Sequence, residues 1–554
     1  MAEADARVAE PEPPVLVDVE PVGEHRIVHA ATVEARSPGG ASPRSRLRIG
    51  FHLAALALAL GVSAPEAIAQ KATKKTTPFD FEDVSKRAEK LARAPFKDPH
   101  GVEVPDWLLQ ISYDQWRDIR FKPEASLWRG KNSNFEIQFF HPGLFYDRVV
   151  RIHEVDAKGV HDFKMNPNQF DYGKNDFASR VPQDLGFAGF RVHYPIKTPQ
   201  YKDEVIVFVG ASYFRAVGKD HVYGLSARGV AVDTALPSGE EFPFFKEYWL
   251  VRPAPNAREL EFFALLDSPR LTGAYRFVVT PGDQTIVEVE NRLFLRKRVG
   301  KLGIAPLTSM FYAGENNPSR TEDYRPEVHD SDGLLLEDST GEWTWRPLKN
   351  PRTLSVNSFR MTNPRGFGLL QRDRDFEHYQ DLETRMDIRP SVWIEPKGDW
   401  GTGAVELVQI PTQGEIHDNI VSYWIPDGEA EPGKPIDYAW RMTYYSDDAR
   451  RPPAGRVVST RRDRGTIEDG HRFVVDFAGK PLQALPSDTV LQGVVTVGEG
   501  GELVEQQVVK NPVNGQWRLT FQVRAPGGNP VEMRAFLRRG EEALTETWSY
   551  VLEP

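Results

Sequence analysis

The chain has 554 residues, 69 Lys and Arg against 79 Asp and Glu for a formal charge of −10, 44 Gly, 43 Pro and no Cys. Its length exceeds that of a single hydrophobic core, so two or more domains are expected. The absent Cys excludes disulfides, thiolate nucleophiles and Cys-ligated zinc and suits an oxidising compartment, and the negative balance argues against general nucleic-acid binding, which needs a clustered excess of Lys and Arg.

At the amino end, Arg44, Arg46 and Arg48 precede an apolar stretch from Ile49 to Val62, followed by Ala67-Ile68-Ala69. A basic region, a short apolar region and a small-residue site in that order predict a cleavable signal peptide cut after Ala69, because the stretch falls short of the roughly 20 residues a membrane span needs. An uncleaved anchor with an acidic tail is the competing reading; both place the bulk of the protein outside the cytoplasm, in the periplasm. Residues 1–69 are therefore an extension plus signal peptide.

Phe81, Val84, Ala88 and Leu91 recur at helical spacing, with Asp80 as N-cap. Beyond them the period becomes two. Phe135, Ile137 and Phe139 alternate with Glu136 and Gln138, and Val287 and Val289 with Glu288 and Glu290, as half-buried strands do. The run Val205 to Val209 suits a strand buried on both faces. No GxGxxG unit, phosphate loop or regular βαβ alternation appears, which counts against a nucleotide enzyme.

Residues 78–446 are expected to form one large β-sandwich domain and 447–465, rich in Arg, Asp and Pro, a linker. In 466–554, short strands around Phe473 to Phe477, Val494 to Val497, Leu503 to Val509, Trp517 to Val523 and Val531 to Leu537, then Trp548, predict an immunoglobulin-like sandwich. The fold class is all-β.

Two stretches concentrate polar chemistry. The first runs from Asp323-Tyr324-Arg325 through His329-Asp330-Ser331-Asp332-Gly333 to Trp343-Thr344-Trp345. Aromatic faces beside carboxylates and guanidinium groups suit a sugar, whose ring offers an apolar face for stacking and hydroxyls for bidentate hydrogen bonds. A polar turn bonding its own backbone is the alternative for His329 to Gly333, and core packing is the alternative for the tryptophans. The second stretch is the loop between strands ending near Ile410 and starting near Ile420, with Glu415, His417, Asp418 and Asn419. It can form a cleft edge, or simply a hairpin closed by an Asx turn. Gly224-Leu225-Ser226-Ala227 resembles a nucleophile elbow but lacks its second Gly. The charged segment Asp373 to Asp387 lines a cleft or forms a solvated face.

Six segments together resemble the glucan biosynthesis protein G/D family of exported proteins: Gly210 to Ala216, Tyr223 to Gly229, Leu236 to Pro243, Asp323 to Leu334, Gly366 to Arg372 and Thr545 to Tyr550. The similarity runs from about Phe79 to the carboxyl end. It implies a galactose-mutarotase-like β-sandwich with a cleft, followed by the immunoglobulin-like domain. It further implies action on β-1,2-glucan, either as an endo-hydrolase or as a cyclising transglycosylase that makes an α-1,6 link. By the same resemblance Asp418 is the general acid, working indirectly through a substrate hydroxyl and waters, and Asp330 is the general base. Tyr324, Arg325, Asp332, Trp343, Trp345, His417 and Asn419 are candidate sugar contacts. His417 stands where members commonly carry Asn, and a protonated imidazole there is expected to depress the pKa of Asp418.

No metal or cofactor is expected. β-1,2-glucan is the expected ligand, and the membrane glucan synthase and a second copy of the chain are candidate partners. A non-catalytic, glucan-binding scaffold for that synthase is the rival to an enzyme, and a structural adaptor docking through its carboxyl-terminal domain is a third reading.

Overall fold

The computed structural model describes residues 79–100, 103–428, 430–448 and 450–553. The signal peptide expected over 1–69 lies outside them. Asp80 caps the helix Phe81–Ala92 as its sequence predicts, accepting from the Asp83 amide while the Asp83 side chain accepts from the Asp80 amide. Val84 and Ala88 bury their side chains on the outer face of a large sheet, against Trp249, Phe263 and Leu265.

Period-two alternation builds a ten-stranded sheet whose order along its main path is Glu136–Phe140, Gly189–Thr198, Tyr201–Val209, Tyr213–Ala216, Ser226–Arg228, Leu302–Ser309, Ile420–Pro426, Thr402–Gln409 and Ser355–Thr362. Register aligns Phe139 with Phe190, Phe190 with Phe208, and Phe208 with Phe214. This aromatic row meets Phe262 and Phe277 of the second sheet, each 5.2 Å from the Phe208 ring. Each such ring contributes about 2–3 kcal/mol by leaving water, so this face fixes which side of the sheet is core. One residue over in the same strands, the other face carries Gln138, Arg191, Arg215, Ser226 and Arg228. These polar side chains bond one another: Arg191 donates to Gln138 at 2.8 Å and to Glu204 at 2.9 Å. The all-β sandwich class inferred from periodicity stands.

The second sheet has fifteen strands, and it does not stop at the boundary between the expected domains. Strand Trp343–Pro347 pairs in parallel with the carboxyl-terminal strand Thr547–Leu552, Trp345 opposite Trp548. Val531–Arg539 and Gln492–Val497 extend the sheet further, and a four-stranded sheet covers this end. Its first strand, Arg456–Asp463, falls inside the stretch 447–465 expected as a linker. That expectation is corrected for 456–463: Val457, Ser459 and Thr460 of this strand are buried, while Arg461, Arg462 and Asp463 at its end are exposed. The core here holds Trp345, Trp393, Phe473, Phe521 and Trp548. Gly333 belongs to this packing, since a Cβ there would stand 2.3 Å from the Trp345 ring.

Candidate active site

The hairpin joining Thr402–Gln409 to Ile420–Pro426 carries Asp418 at the polar face of the ten-stranded sheet. Asn419 fixes the end of its loop. The buried Asn419 carboxamide accepts from the Phe311 amide at 2.9 Å and donates to the Phe311 and Ile410 carbonyls at 3.0 Å each. At the other end, Asn350 exchanges two hydrogen bonds with the Thr412 backbone. Asp418 is thereby held with 18% of its side chain exposed. Its Oδ2 is buried without a hydrogen-bond donor, and the nearest cation is Arg215 Nη2 at 3.7 Å. Burial raises its pKa and the nearby Asp330 raises it further, against the opposing pull of Arg215, Arg228 and Arg389. The expectation that a protonated His417 would depress Asp418 is thus overridden by burial; His417 Nδ1 instead meets Thr412 Oγ1 at 3.1 Å.

Asp330 follows the short strand Val328–His329, and its amide donates to the Met310 carbonyl at 2.9 Å. Its buried carboxylate is paired with Arg389. Arg389 also donates through Nε and Nη2 to the Thr384 carbonyl at 3.3 Å each. Gly224 makes room for it, because a Cβ there would come within 2.9 Å of Arg389 Cβ. That close approach accounts for the glycine of Gly224-Leu225-Ser226-Ala227, and Ser226 accepts from Arg215 Nε at 2.6 Å. Two interacting carboxyls therefore sit in contrasting surroundings, one without a donor and one salt-bridged, which is how a protein separates an acid from a base.

The other candidate sugar contacts divide. Tyr324 is 77% exposed on a loop at the rim. Arg325 lies in the same loop, yet Asp323, Asp381 and Glu415 occupy its guanidinium. Asn419 is consumed by backbone bonds. Asp332 turns away from Asp330: it accepts from the Asp373 amide at 2.7 Å and lies 3.5 Å from His329 Nδ1. Trp345 is buried under Arg372, whose guanidinium carbon stands 3.7 Å from the ring centroid, and Trp343 stacks on Trp393. These two tryptophans pack the junction of the sheets, away from the aspartate pair.

Asp332 and Trp345 line a different cavity, of about 40 Å³, with Glu315, Glu327, His329 and Val457 to Thr460. Glu327, His329 and Asp332 are close enough to hold a metal ion, as are Glu327, Asp373 and His378. A cation on His329 would have to displace a proton. Burial lowers its pKa, but Glu327 at 2.8 Å and Asp332 outweigh this and push it up to about 9. An imidazolium has no lone pair for a cation.

Arg215, Arg228 and Arg389 were not singled out from the sequence. A signal existed for two of them: Tyr213 and Arg215 alternate with Phe214 and Ala216, and Ser226 and Arg228 flank Ala227. Polar residues in the alternate positions of a strand buried on both faces point to a solvated groove. For Arg389, whose contacts join loops distant in sequence, there was none.

The chain is thus an all-β sandwich with two neighbouring carboxyls on a polar sheet face. The family described as "Periplasmic glucan biosynthesis protein, MdoG" matches residues 79–552, so the chain belongs to it. The "Glucans biosynthesis protein G" of Ralstonia nicotianae is 49% identical over 486 residues, covering 86% of this chain and 96% of that protein. Proteins of this family act in periplasmic glucan biosynthesis. Solved structures share only faint likeness. A GH36 alpha-galactosidase from Geobacillus stearothermophilus has TM-score 0.25 and 9% identity over 47% of this chain and 40% of its own. A galactose mutarotase related enzyme from Lactobacillus acidophilus has TM-score 0.20 and 9% identity over 43% and 96%. Among the described residues, no helix is long and apolar enough to cross a membrane.

Proposed function

We propose that this protein is a periplasmic endo-hydrolase of β-1,2-glucan, with Asp418 as general acid and Asp330 as general base. The observation that carries this reading is the contrast between the two carboxyls: Asp418 is desolvated, raised in pKa and free of hydrogen-bond donors at Oδ2, while Asp330 is salt-bridged to Arg389. Asp418 gives its proton to the leaving glycosidic oxygen, through a substrate hydroxyl and water. Asp330 takes a proton from the attacking water, whose oxygen bonds the anomeric carbon as the glycosidic bond breaks. The partly exposed Arg191 and Arg215 on the polar face of the ten-stranded sheet support a hydroxyl-rich ligand. In this reading the glucan is the ligand and the membrane synthase that makes it is the functional partner.

The test is mass and linkage analysis of linear β-1,2-glucan after incubation with the purified exported chain. Shorter linear products, each gaining one water, are expected. A product that has lost one water and gained an α-1,6 link would replace hydrolysis with transfer, and unaltered glucan that still binds would replace the enzyme with a scaffold.

A further inference from the structure

We infer that Arg325 is a positioning residue for Asp418: one guanidinium latches three loops and holds the tip of the acid loop in place. The inference rests on the acid role of Asp418 given above. Arg325 lies in the loop before Val328–His329, Asp381 in the loop after the helix Phe376–Tyr379, and Glu415 at the tip of the hairpin loop that carries Asp418. All five N–H groups of the guanidinium are committed. Nε donates to Asp323 Oδ1 at 3.1 Å, Nη2 to Asp323 Oδ2 at 2.9 Å and to Glu415 Oε1 at 3.1 Å, and Nη1 to Glu415 Oε2 at 2.8 Å and Asp381 Oδ2 at 2.9 Å. An arginine so saturated has no donor left for a sugar hydroxyl. Its side chain is 13% exposed, and the forked geometry is what lets it grip a carboxylate with two parallel bonds.

Each partner is itself built into its loop. Asp381 accepts from the Glu383 and Thr384 amides at 2.9 Å each, and Asp323 from the Arg325 amide at 3.0 Å. The Asp418 loop is anchored at its two ends by Asn350 and Asn419, and the pair of bonds from Arg325 to Glu415 ties down the tip between them. The Asp381 loop also supplies the Thr384 carbonyl to Arg389, the partner of Asp330. The latch therefore reaches both carboxyls without touching either. Three carboxylates around one cation leave an excess of negative charge, so removing the cation drives the loops apart.

Misplacement of a reacting group by about 1 Å costs up to 10²-fold in rate. Arg325→Gln is expected to lower kcat on β-1,2-glucan by about 10–100-fold with KM changed less than about threefold, and Arg325→Lys, which keeps the charge but not the fork, to lie between. Glu415→Gln frees the tip without exposing three like charges and is expected to lower kcat by about tenfold. Amide exchange over residues 411–419 of the free protein is to be read beside turnover, and it should quicken in all three variants. A rise in KM at unchanged kcat would make Arg325 a sugar ligand and overturn the latch, as would unaltered exchange. If the wild-type protein does not cleave the glucan, the hydrolase reading fails by itself, and the exchange measurement alone decides whether the latch exists.

Discussion

Two groups of carboxylates flank the same short strand, Val328–His329, and their surroundings are opposite. On one side Asp330 and Asp418 face the polar side of the ten-stranded sheet, where Asp418 Oδ2 has no donor at all. On the other, Glu315, Glu327 and Asp332 line a cavity at the junction with the carboxyl-terminal strands, and each has a partner: the Thr460 amide donates to Glu315 at 2.5 Å, His329 pairs with Glu327, and the Asp373 amide donates to Asp332. A satisfied buried cluster specifies how two sheets meet, whereas a buried carboxyl left without donors is biased toward its protonated form. The proposed function assigns chemistry to the first group and architecture to the second.

That division is broken or sharpened most strongly at Asp418. Asp418→Asn is expected to lower glucan turnover by about 10²–10⁴-fold while unfolding stability stays level or rises, because burial already disfavours the charge that is removed. Product formation by reducing-end assay and urea unfolding check the two halves. Trp345→Ala should do the reverse. It opens a cavity in the junction and costs about 3–5 kcal/mol, with turnover per folded molecule retained; lost glucan affinity at unchanged stability would return Trp345 to the sugar site.

Glu315 makes a pH-dependent prediction. Burial, then the like charge of Glu327, raises its pKa from 4.5 to about 7. Between those values the folded state binds the extra proton, so the contribution is full below pH 4.5 and is lost as pH rises through 7. Unfolding free energies of wild type and Glu315→Gln should therefore diverge over that window, with the wild type losing up to about 3 kcal/mol relative to the variant. Parallel curves would mean that Glu315 is ionised throughout. The smallest effect is expected at Tyr324, exposed on the rim. Tyr324→Ala should leave stability within about 0.5 kcal/mol and weaken glucan binding by at most about 1.5 kcal/mol, the value of one aromatic contact, as read by calorimetry.

Much of the fold was legible because a sheet writes itself into sequence at period two, as in Phe135 to Phe139 and Thr285–Leu295. The linker was misread because Arg456–Asp463 shows its charged side to solvent, and charge alone resembles a loop. The site was legible only in part. Asp330 and Asp418 stand out through the resemblance, and their loops through polarity, but proximity in sequence gathered Asp332, Trp343 and Trp345 with them. The strand Val328–His329 ends before Asp330, which meets Arg389 while His329 meets Glu327 and lies near Asp332. Arg325 read as a sugar contact for a related reason: a guanidinium beside an aromatic ring gives no sign in sequence that the distant Asp381 and Glu415, with the adjacent Asp323, have already claimed it.

The claim on which all of this turns is that burial raises the pKa of Asp418. Carbon-13 NMR titration of the aspartate carboxyls, with Asp418 assigned by its absence from Asp418→Asn, measures it directly. A midpoint clearly above the ordinary 3.8 is the predicted result, and a midpoint at or below that value would contradict the account.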